Sequence, residues 1–215
     1  MNKIAVIAGA GKLPTLFLNE AVNKGFEVFP IYLFEEADIE VRTYKNSVKF
    51  SIAQVGKIVK YLKTNEIKKL IMLGKVEKKL IFSNLKFDLA ATKILMSTKN
   101  KKDKNILMAI IKYLEQEGIE VMPQNYLLDK YMTKDFDYTK KVPNLNDMGT
   151  IEIGLEAAKM LTTIDAGQTV IVKNESVIAL EGIEGTDKTI ERAGEYAGKD
   201  CIIVKMARPN QDYRV

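Results

Sequence analysis

Histidine is absent from this 215-residue chain, and its absence restricts the chemistry more than any other feature of the composition. Without imidazole the chain cannot build a Ser-His-Asp or Cys-His nucleophilic site, an HExxH zinc site or a histidine general base. A metal ion that takes part must therefore bind mainly to carboxylate, carbonyl and water oxygens, which suit Mg²⁺ or Mn²⁺ better than Zn²⁺. Phosphate chemistry satisfies that restriction.

Cysteine and long apolar runs are also scarce. The one cysteine, Cys201, excludes an intramolecular disulfide, and its segment CIIVKM predicts a small buried hydrophobic side chain. No apolar run approaches the ~18 residues that span a bilayer, and the N-terminal apolar stretch enters a glycine loop instead of a cleavage site. We therefore expect a cytoplasmic protein.

The net charge is small. The chain carries +5 at neutral pH, and its lysines are distributed along the whole sequence, with only short clusters such as KKDK at 101–104. This pattern is typical of a solvated surface; the alternative is attraction to phosphorylated substrates or to an anionic membrane face. Nucleic acid is not an expected partner, because no basic stripe is interleaved with aromatic residues.

Strand-like and helix-like segments alternate through the first half of the chain, which predicts an α/β fold with a mainly parallel sheet. The polar stretch at 133–144, which carries Pro143, predicts a linker between a first domain at 1–132 and a second α/β domain at 145–215. In the second domain, residues 168–181 predict a β-hairpin. A helix with Thr186 as N-cap follows, and then a buried strand at 201–206.

The first strand, KIAVIA, runs into the loop GAGKLP, which spans Gly9 to Pro14. Such a loop places backbone N–H groups and a helix dipole where a phosphate could bind, and Lys12 favours that interpretation. The loop is neither a GxGxxG fingerprint, because Pro14 replaces the third glycine, nor a P-loop. A tight turn that binds no ligand is the alternative.

Two glycine-containing turns are further candidates. Gly74-Lys75 follows a predicted buried strand and would lie at the carboxyl edge of the sheet, where open α/β folds bind ligands. The segment EGIEGTD (181–187) carries three acids before a helix; helix capping and a metal or ligand role both fit it.

The segment KMARPNQDYR places Lys205, Arg208 and Arg214 around Gln211 and Asp212. A carboxylate among cations could bind Mg²⁺ or orient a water while the cations neutralise a phosphate. A basic tail without function is the alternative.

Taken in order, six segments resemble the LpxI-type UDP-2,3-diacylglucosamine pyrophosphatases of lipid A biosynthesis: KIAVIAGAGKLPTLF, IAQVGKIVKYLK, IMLGKV, DAGQTVIV, ALEGIEGTD and VKMARPNQDYRV. The resemblance implies Mg²⁺-assisted (or Mn²⁺-assisted) attack of water on the α-phosphorus of UDP-2,3-diacylglucosamine, giving UMP and 2,3-diacylglucosamine 1-phosphate. It also implies an N-terminal Rossmann-like domain, a C-terminal catalytic α/β domain, an acyl-binding surface, peripheral contact with the inner membrane and a homodimer.

The resemblance also implies roles for individual residues. Catalysis is expected from Asp212, Asp187, Lys205 and Arg214, with Asp212 and Asp187 as metal ligands and Asp212 as the principal carboxylate. Substrate binding is expected from Gly9, Gly11, Lys12, Leu13, Pro14, Gly74, Lys75, Gln168, Glu181, Thr186 and Gln211.

This sequence departs from the family pattern in three places. Asp103 lies in KKDK where the family often has GDD, and Arg208 replaces a lysine. The pattern continues past the last segment, so the chain that ends at Val215 is expected to be truncated within its catalytic domain.

Two other functions remain open. A nicotinamide-dependent oxidoreductase could use the same loop, with Glu35 or Glu36 binding the ribose hydroxyls, although Pro14 counts against it. A carrier of phospholipids or nucleotide sugars would bind through the loop without catalysis.

Overall fold

The computed structural model describes residues 2–76, 86–98, 103–133, 139–140, 142–209 and 212–214. The chain forms two compact units. Unit 1 comprises Met1–Thr133 together with Asp212–Val215, and unit 2 comprises Lys134–Gln211. None of the described helices is long and apolar enough to cross a bilayer.

Unit 1 is built on a parallel sheet. Its described strands are β1 (Asn2–Ala8), β2 (Phe26–Tyr32), β3 (Val48–Lys49), β4 (Lys69–Leu73) and β5 (Glu120–Met122). Its described helices are α1 (Leu13–Asn23), α2 (Ile39–Arg42), α3 (Val55–Thr64), α4 (Leu89–Ser97) and α5 (Asp103–Gln116). The strand order is β3-β2-β1-β4-β5, and all four pairings are parallel. The predicted α/β fold with a parallel sheet is thus confirmed.

Both faces of this sheet are buried because helices cover both. Successive side chains of a strand point to opposite faces. On β1, Ile4 and Val6 pack in one cluster with Phe17 of α1, whereas Ala5 packs in another with Leu62 of α3. A strand buried on both faces needs an unbroken apolar run, which KIAVIA supplies.

Unit 2 contains an antiparallel sheet between two helices. Its described elements are α6 (Leu145–Thr163), β6 (Thr169–Lys173), β7 (Ser176–Leu180), α7 (Thr186–Ala197) and β8 (Ile202–Lys205). The strand order is β7-β6-β8, with β6 and β7 forming the predicted hairpin. Ala158 of α6 packs with Val170 on one face, and Ala193 of α7 packs with Ile171 on the other.

Three details of unit 2 differ from the sequence predictions. The last strand is an edge strand and is not buried, since Ile203 is 49% exposed. Cys201 precedes that edge and is only half-buried. Gly185, at φ +82°, is the N-cap of α7, so Thr186 is the first helical residue and its hydroxyl has a different partner.

The compact units differ from the predicted division at the C-terminal end. Asp212 and Arg214, expected in the second domain, lie with unit 1. The N–H of Gln124 donates to the carbonyl of Tyr213 at 2.6 Å, and Arg214 forms an ion pair with Glu115. These contacts attach the segment to the end of β5 and to α5.

Candidate functional site

The carboxyl ends of β1 and β4 meet in two glycine turns that pack against each other. The N–H of Gly9 donates to the carbonyl of Leu73 at 2.8 Å, and Ala10 and Lys75 exchange backbone hydrogen bonds at 2.8 and 2.9 Å. A Cβ on Gly9 would lie 2.4 Å from the carbonyl oxygen of Lys75. Gly74, at φ +92°, lies on the other side of the same close approach. The backbone N–H groups of Gly9 and Ala10 are therefore used within the fold, and a phosphate at this loop would have to bind to other donors.

Lys12, the residue that favoured a phosphate site, has a partner inside unit 1. Its Nζ lies 2.7 Å from Oδ2 of Asp38, whose side chain is only 9% exposed. Asp38 also accepts from the N–H of Glu40 at 3.0 Å, at the start of α2. Hydrogen bonding to Asp38 raises the pKa of the Lys12 ammonium, and the same bond lowers the pKa of Asp38. A phosphate would compete with this carboxylate for Lys12.

The rest of the loop starts α1. Leu13 is the first helical residue and Pro14 lies in the first turn, as predicted for a proline without an N–H. Gly11 has φ +99°, and no atom lies within 4 Å of the place that a Cβ would take. Glycine is therefore needed at this position for its backbone conformation and not for space. Lys75 is exposed beside this turn.

An apolar cavity of about 300 Å³ lies at this edge of the sheet. Its polar lining residues are Gln124 and Arg214, and the two glycine turns form part of its wall. The other lining residues are Ile7, Leu33, Ile52, Val55, Ile58, Met72, Leu73, Val76, Leu107, Ile110 and Leu114. Such a lining suits hydrocarbon rather than a phosphate group. Sequence reasoning missed the cavity because its residues come from many separate segments.

Asp212 is held by Arg214. Nε of Arg214 donates to Oδ1 of Asp212 at 2.9 Å, and Nη2 donates to Oδ2 at 2.6 Å. Hydrogen bonding to Asp212 raises the pKa of the guanidinium above its already high value. Arg214 also reaches Glu115 on α5. Arg214, which lines the cavity, thus forms a fixed ion pair with Asp212.

Unit 2 brings together four residues that the sequence singled out. The strand pairings place Thr169 opposite Lys205, and the N–H of Glu181 donates to the carbonyl of Thr169 at 2.9 Å. Nζ of Lys205 donates to Oγ1 of Thr169 at 3.0 Å and to Oγ1 of Thr186 at 2.8 Å. Oγ1 of Thr186 donates to Oε1 of Glu181 at 3.1 Å. The N–H of Gln168 donates to Oε2 of Glu181 at 3.1 Å.

This group, called the Lys205 cluster below, comprises Gln168, Thr169, Glu181, Thr186 and Lys205. Burial alone would raise the pKa of the Glu181 carboxyl, but hydrogen bonds from its neighbours and the Lys205 charge outweigh burial and lower it. Because α7 begins at Thr186, the ammonium lies beside a helix N-terminus, where the dipole also favours negative charge. The exposed Lys205 ammonium at this helix terminus can therefore attract an anion.

Thr169 is the member of the cluster that sequence reasoning missed. Its side chain is fully buried, at 0% exposure, in a strand whose alternation indicated only core packing. The strand register that pairs Thr169 with Lys205 would have identified it. The two residues are 36 positions apart in the sequence, so local patterns do not show this pairing.

Two predicted site residues remain, Asp187 and Gln211. Asp187 is exposed in the first turn of α7 and has no side-chain partner among the described residues. Gln211 lies outside the described residues. Asp187 belongs to unit 2 and Asp212 to unit 1. Across the described part of the chain, no three acidic or cysteine side chains gather as a metal site. Both oxygens of Asp212 accept from Arg214, so a metal ion at Asp212 would have to compete with that guanidinium.

Glu35, one of the two acids expected to bind the ribose of a nicotinamide cofactor, is also engaged. Glu35 accepts from Arg42 at 2.9 Å and is paired with Lys49. Hydrogen bonding from Lys49 lowers the pKa of Glu35. A ribose hydroxyl would have to displace both cations from this carboxylate.

A parallel sheet of order β3-β2-β1-β4-β5 with glycine turns at its carboxyl edge defines a Rossmann-like α/β protein, here with a second α/β unit that carries the Lys205 cluster. Two family models match it: the LpxI N-terminal domain over residues 3–131 and the LpxI C-terminal domain over residues 135–215. The chain belongs to the LpxI family.

Among curated proteins, the chain is similar to the UDP-2,3-diacylglucosamine pyrophosphatase LpxI of Caulobacter vibrioides. The two are 27% identical over 228 residues, which cover 100% of this chain and 80% of the relative.

Among solved structures, it is similar to a UDP-glucose 4-epimerase of Thermotoga maritima with UDP-glucose (13% identity, TM-score 0.35, 54% of this chain and 35% of that one). A UDP-glucose-4-epimerase of Stenotrophomonas maltophila with NAD and formylated UDP-arabinopyranose is similar as well (12% identity, TM-score 0.38, 56% and 35%). The chain thus spans about a third of these epimerases.

Proposed function

We propose that this protein hydrolyses the pyrophosphate bond of UDP-2,3-diacylglucosamine, giving UMP and 2,3-diacylglucosamine 1-phosphate in lipid A biosynthesis. Membership of the LpxI family across both units supports this, as does the activity in the name of the Caulobacter relative. The observation that carries the proposal is the Lys205 ammonium, held by two threonine hydroxyls at the N-terminus of α7.

The Lys205 cluster supplies charge stabilisation for phosphoryl transfer. In such reactions negative charge spreads over the phosphate oxygens, and fixed cations stabilise it. Lys205 uses two of its three N–H donors inside the cluster, so one is available to a pyrophosphate oxygen. Glu181 keeps its negative charge through its hydrogen bonds and holds Thr186 in place.

We assign Asp212 as the carboxylate that orients the attacking water towards the α-phosphorus. Arg214 fixes its orientation through paired hydrogen bonds, and Asp187 is the supporting acid. Lys12, Lys75 and Arg214 are further cations for the pyrophosphate. Since Lys12 is paired with Asp38, we expect it to contribute less than Lys205.

The apolar cavity of unit 1 gives the lipid part of the substrate a place to bind. Its lining is almost entirely aliphatic, with Arg214 and Gln124 as polar members. We propose that it receives part of an acyl chain. Because the substrate carries two acyl chains, we also propose that the protein contacts the surface of the inner membrane. Binding to vesicles of anionic phospholipid would test this.

A requirement for Mg²⁺ or Mn²⁺ and a homodimeric state are also part of the proposal, carried by the family resemblance. Among the described residues no three acidic or cysteine side chains gather as a ligand set, so the proposal assigns roles to the protein's own side chains alone. Loss of UMP release on adding EDTA, with recovery on adding Mg²⁺, would support the requirement. Sedimentation would measure the oligomeric state.

The deciding experiment measures UMP release from UDP-2,3-diacylglucosamine. We expect Asp212→Ala and Lys205→Met to lower kcat/KM roughly 10²–10³-fold. Asp200→Asn and Lys188→Met are controls, because both are exposed and lie outside the proposed machinery. No UMP from the wild-type protein would contradict the function, and unchanged UMP release by Asp212→Ala would contradict the assignment of that carboxylate.

A further inference from the structure

We infer that Thr169 is a positioning residue, whose buried hydroxyl fixes the Lys205 ammonium at the N-terminus of α7; this inference rests on the proposed function. Oγ1 of Thr169 lies 3.0 Å from Nζ of Lys205. The Thr169 side chain is 0% exposed, whereas Lys205 is exposed. The hydroxyl is therefore the buried end of a contact whose other end faces the solvent.

The directions of the hydrogen bonds are set by the chemistry of the groups. An ammonium can only donate and an ionised carboxylate can only accept. Both threonine oxygens therefore accept from Lys205, and the Thr186 hydroxyl proton goes to Glu181. The hydroxyl of Thr169 lies 3.3 Å from that of Thr186 and is also a hydrogen-bond partner of Glu181. The result is a chain of hydrogen bonds that runs from the cation through both threonine hydroxyls to the carboxylate.

Thr169 is the rigid member of this chain. It lies on β6, the middle strand of its sheet, paired with Lys205 of β8 and bonded through its carbonyl to Glu181. Lysine has a flexible four-carbon stem with several rotatable bonds, so an exposed lysine is ordinarily mobile. A hydroxyl on a central strand fixes Nζ relative to the sheet.

A fixed cation helps most in the transition state, because a displacement of about 1 Å can cost about 10²-fold in rate. Removing the hydroxyl leaves the charge of Lys205 intact but frees its position. The loss should therefore fall mainly on kcat, with little change in KM. If Thr169 had a purely structural role, its replacement would not lower kcat while leaving KM nearly unchanged.

The test compares Thr169→Val, Thr169→Ser and the matched control Thr162→Val in UMP release. Thr162 is also buried in unit 2, but its hydroxyl donates to carbonyls of its own helix and has no other partner among the described residues. We expect Thr169→Val to lower kcat about tenfold or more, with KM changed less than about threefold, and Thr169→Ser to restore most of the rate. Thr162→Val should keep wild-type kinetics.

A double-mutant cycle with Lys205→Met separates positioning from general damage. If Thr169 acts through Lys205, Thr169→Val causes no further loss of kcat in the Lys205→Met background. Additive losses would overturn the inference, as would wild-type kinetics for Thr169→Val, or loss of folded protein in Thr169→Val and Thr169→Ser alike. Absence of UMP release by the wild-type protein is a different outcome and would contradict the proposed function, and the inference with it.

Discussion

Gly9→Ala tests whether the glycine loop is shaped by its own fold or by a ligand. The new methyl carbon would lie 2.4 Å from the carbonyl oxygen of Lys75 and 2.9 Å from the carbonyl carbon of Gly74. All the nearest atoms belong to the backbone, so no side-chain rotation can relieve the overlap. The ends of β1 and β4 must move apart by about 1 Å to reach ordinary contact distances.

That movement strains the backbone hydrogen bonds that join Gly9 to Leu73 and Ala10 to Lys75. Overpacking costs about 1–3 kcal/mol, and each weakened hydrogen bond adds up to about 1 kcal/mol. The expected loss is about 3–5 kcal/mol in the free energy of unfolding of unit 1. For a protein of this size it corresponds to a decrease in Tm of roughly 6–20 °C.

Gly25→Ala is the matched control. Gly25 also has a positive φ, +79°, but nothing lies within 4 Å of an added Cβ. Only the conformational cost of about 1–2 kcal/mol should apply. Thermal unfolding followed by circular dichroism measures both variants. If Gly9→Ala is no less stable than Gly25→Ala and loses only affinity for substrate, the close approach of the two turns does not explain the glycine.

Three further predictions concern other parts of the chain. Asp88 accepts backbone hydrogen bonds from the first turns of both α3 and α4, so Asp88→Ala should cost about 2 kcal/mol in urea unfolding; a cost like that of an exposed acid would contradict this double cap. The pKa of Glu181 is lowered from 4.5, so its stabilisation is present above about pH 4.5 and is lost as the pH falls towards its folded-state pKa; the stability difference between wild type and Glu181→Gln should shrink over that range, and a constant difference would refute it. A Cβ on Gly154 would lie 2.6 Å from Cγ2 of Val204, so Gly154→Ala should destabilise unit 2 by about 1–3 kcal/mol; Val204→Ala should relieve part of that loss, and strictly additive losses would rule out this contact as its cause.

Much of the fold follows from local patterns in the sequence. Alternating β and α segments predicted the parallel sheet, and the apolar run KIAVIA is a strand buried on both faces, as such a run requires. The two alternating runs around Asn174 and Glu175 form the predicted hairpin. These features depend on residues close together in the chain, so periodicity and turn chemistry are enough to predict them.

The candidate site was predictable only in part. Motif order singled out Gln168, Glu181, Thr186 and Lys205, and these four lie together in unit 2. Thr169 was missed because a threonine in an apolar strand looks like core until its partner strand is known. The predicted N-cap role of Thr186 was wrong because Gly185, with its positive φ, takes that position.

The sequence by itself determined which segments become strands and helices, and which residue types are available for phosphate chemistry without histidine. The tertiary structure alone decided how those residues are used. It joins Lys12 to Asp38, uses the N–H groups of Gly9 and Ala10 between two strands, and joins Arg214 to Asp212 and Glu115. The physical reason is that a charge or a hydrogen-bonding group acts on whatever the fold brings within about 3 Å of it, and that neighbour often comes from a distant part of the chain.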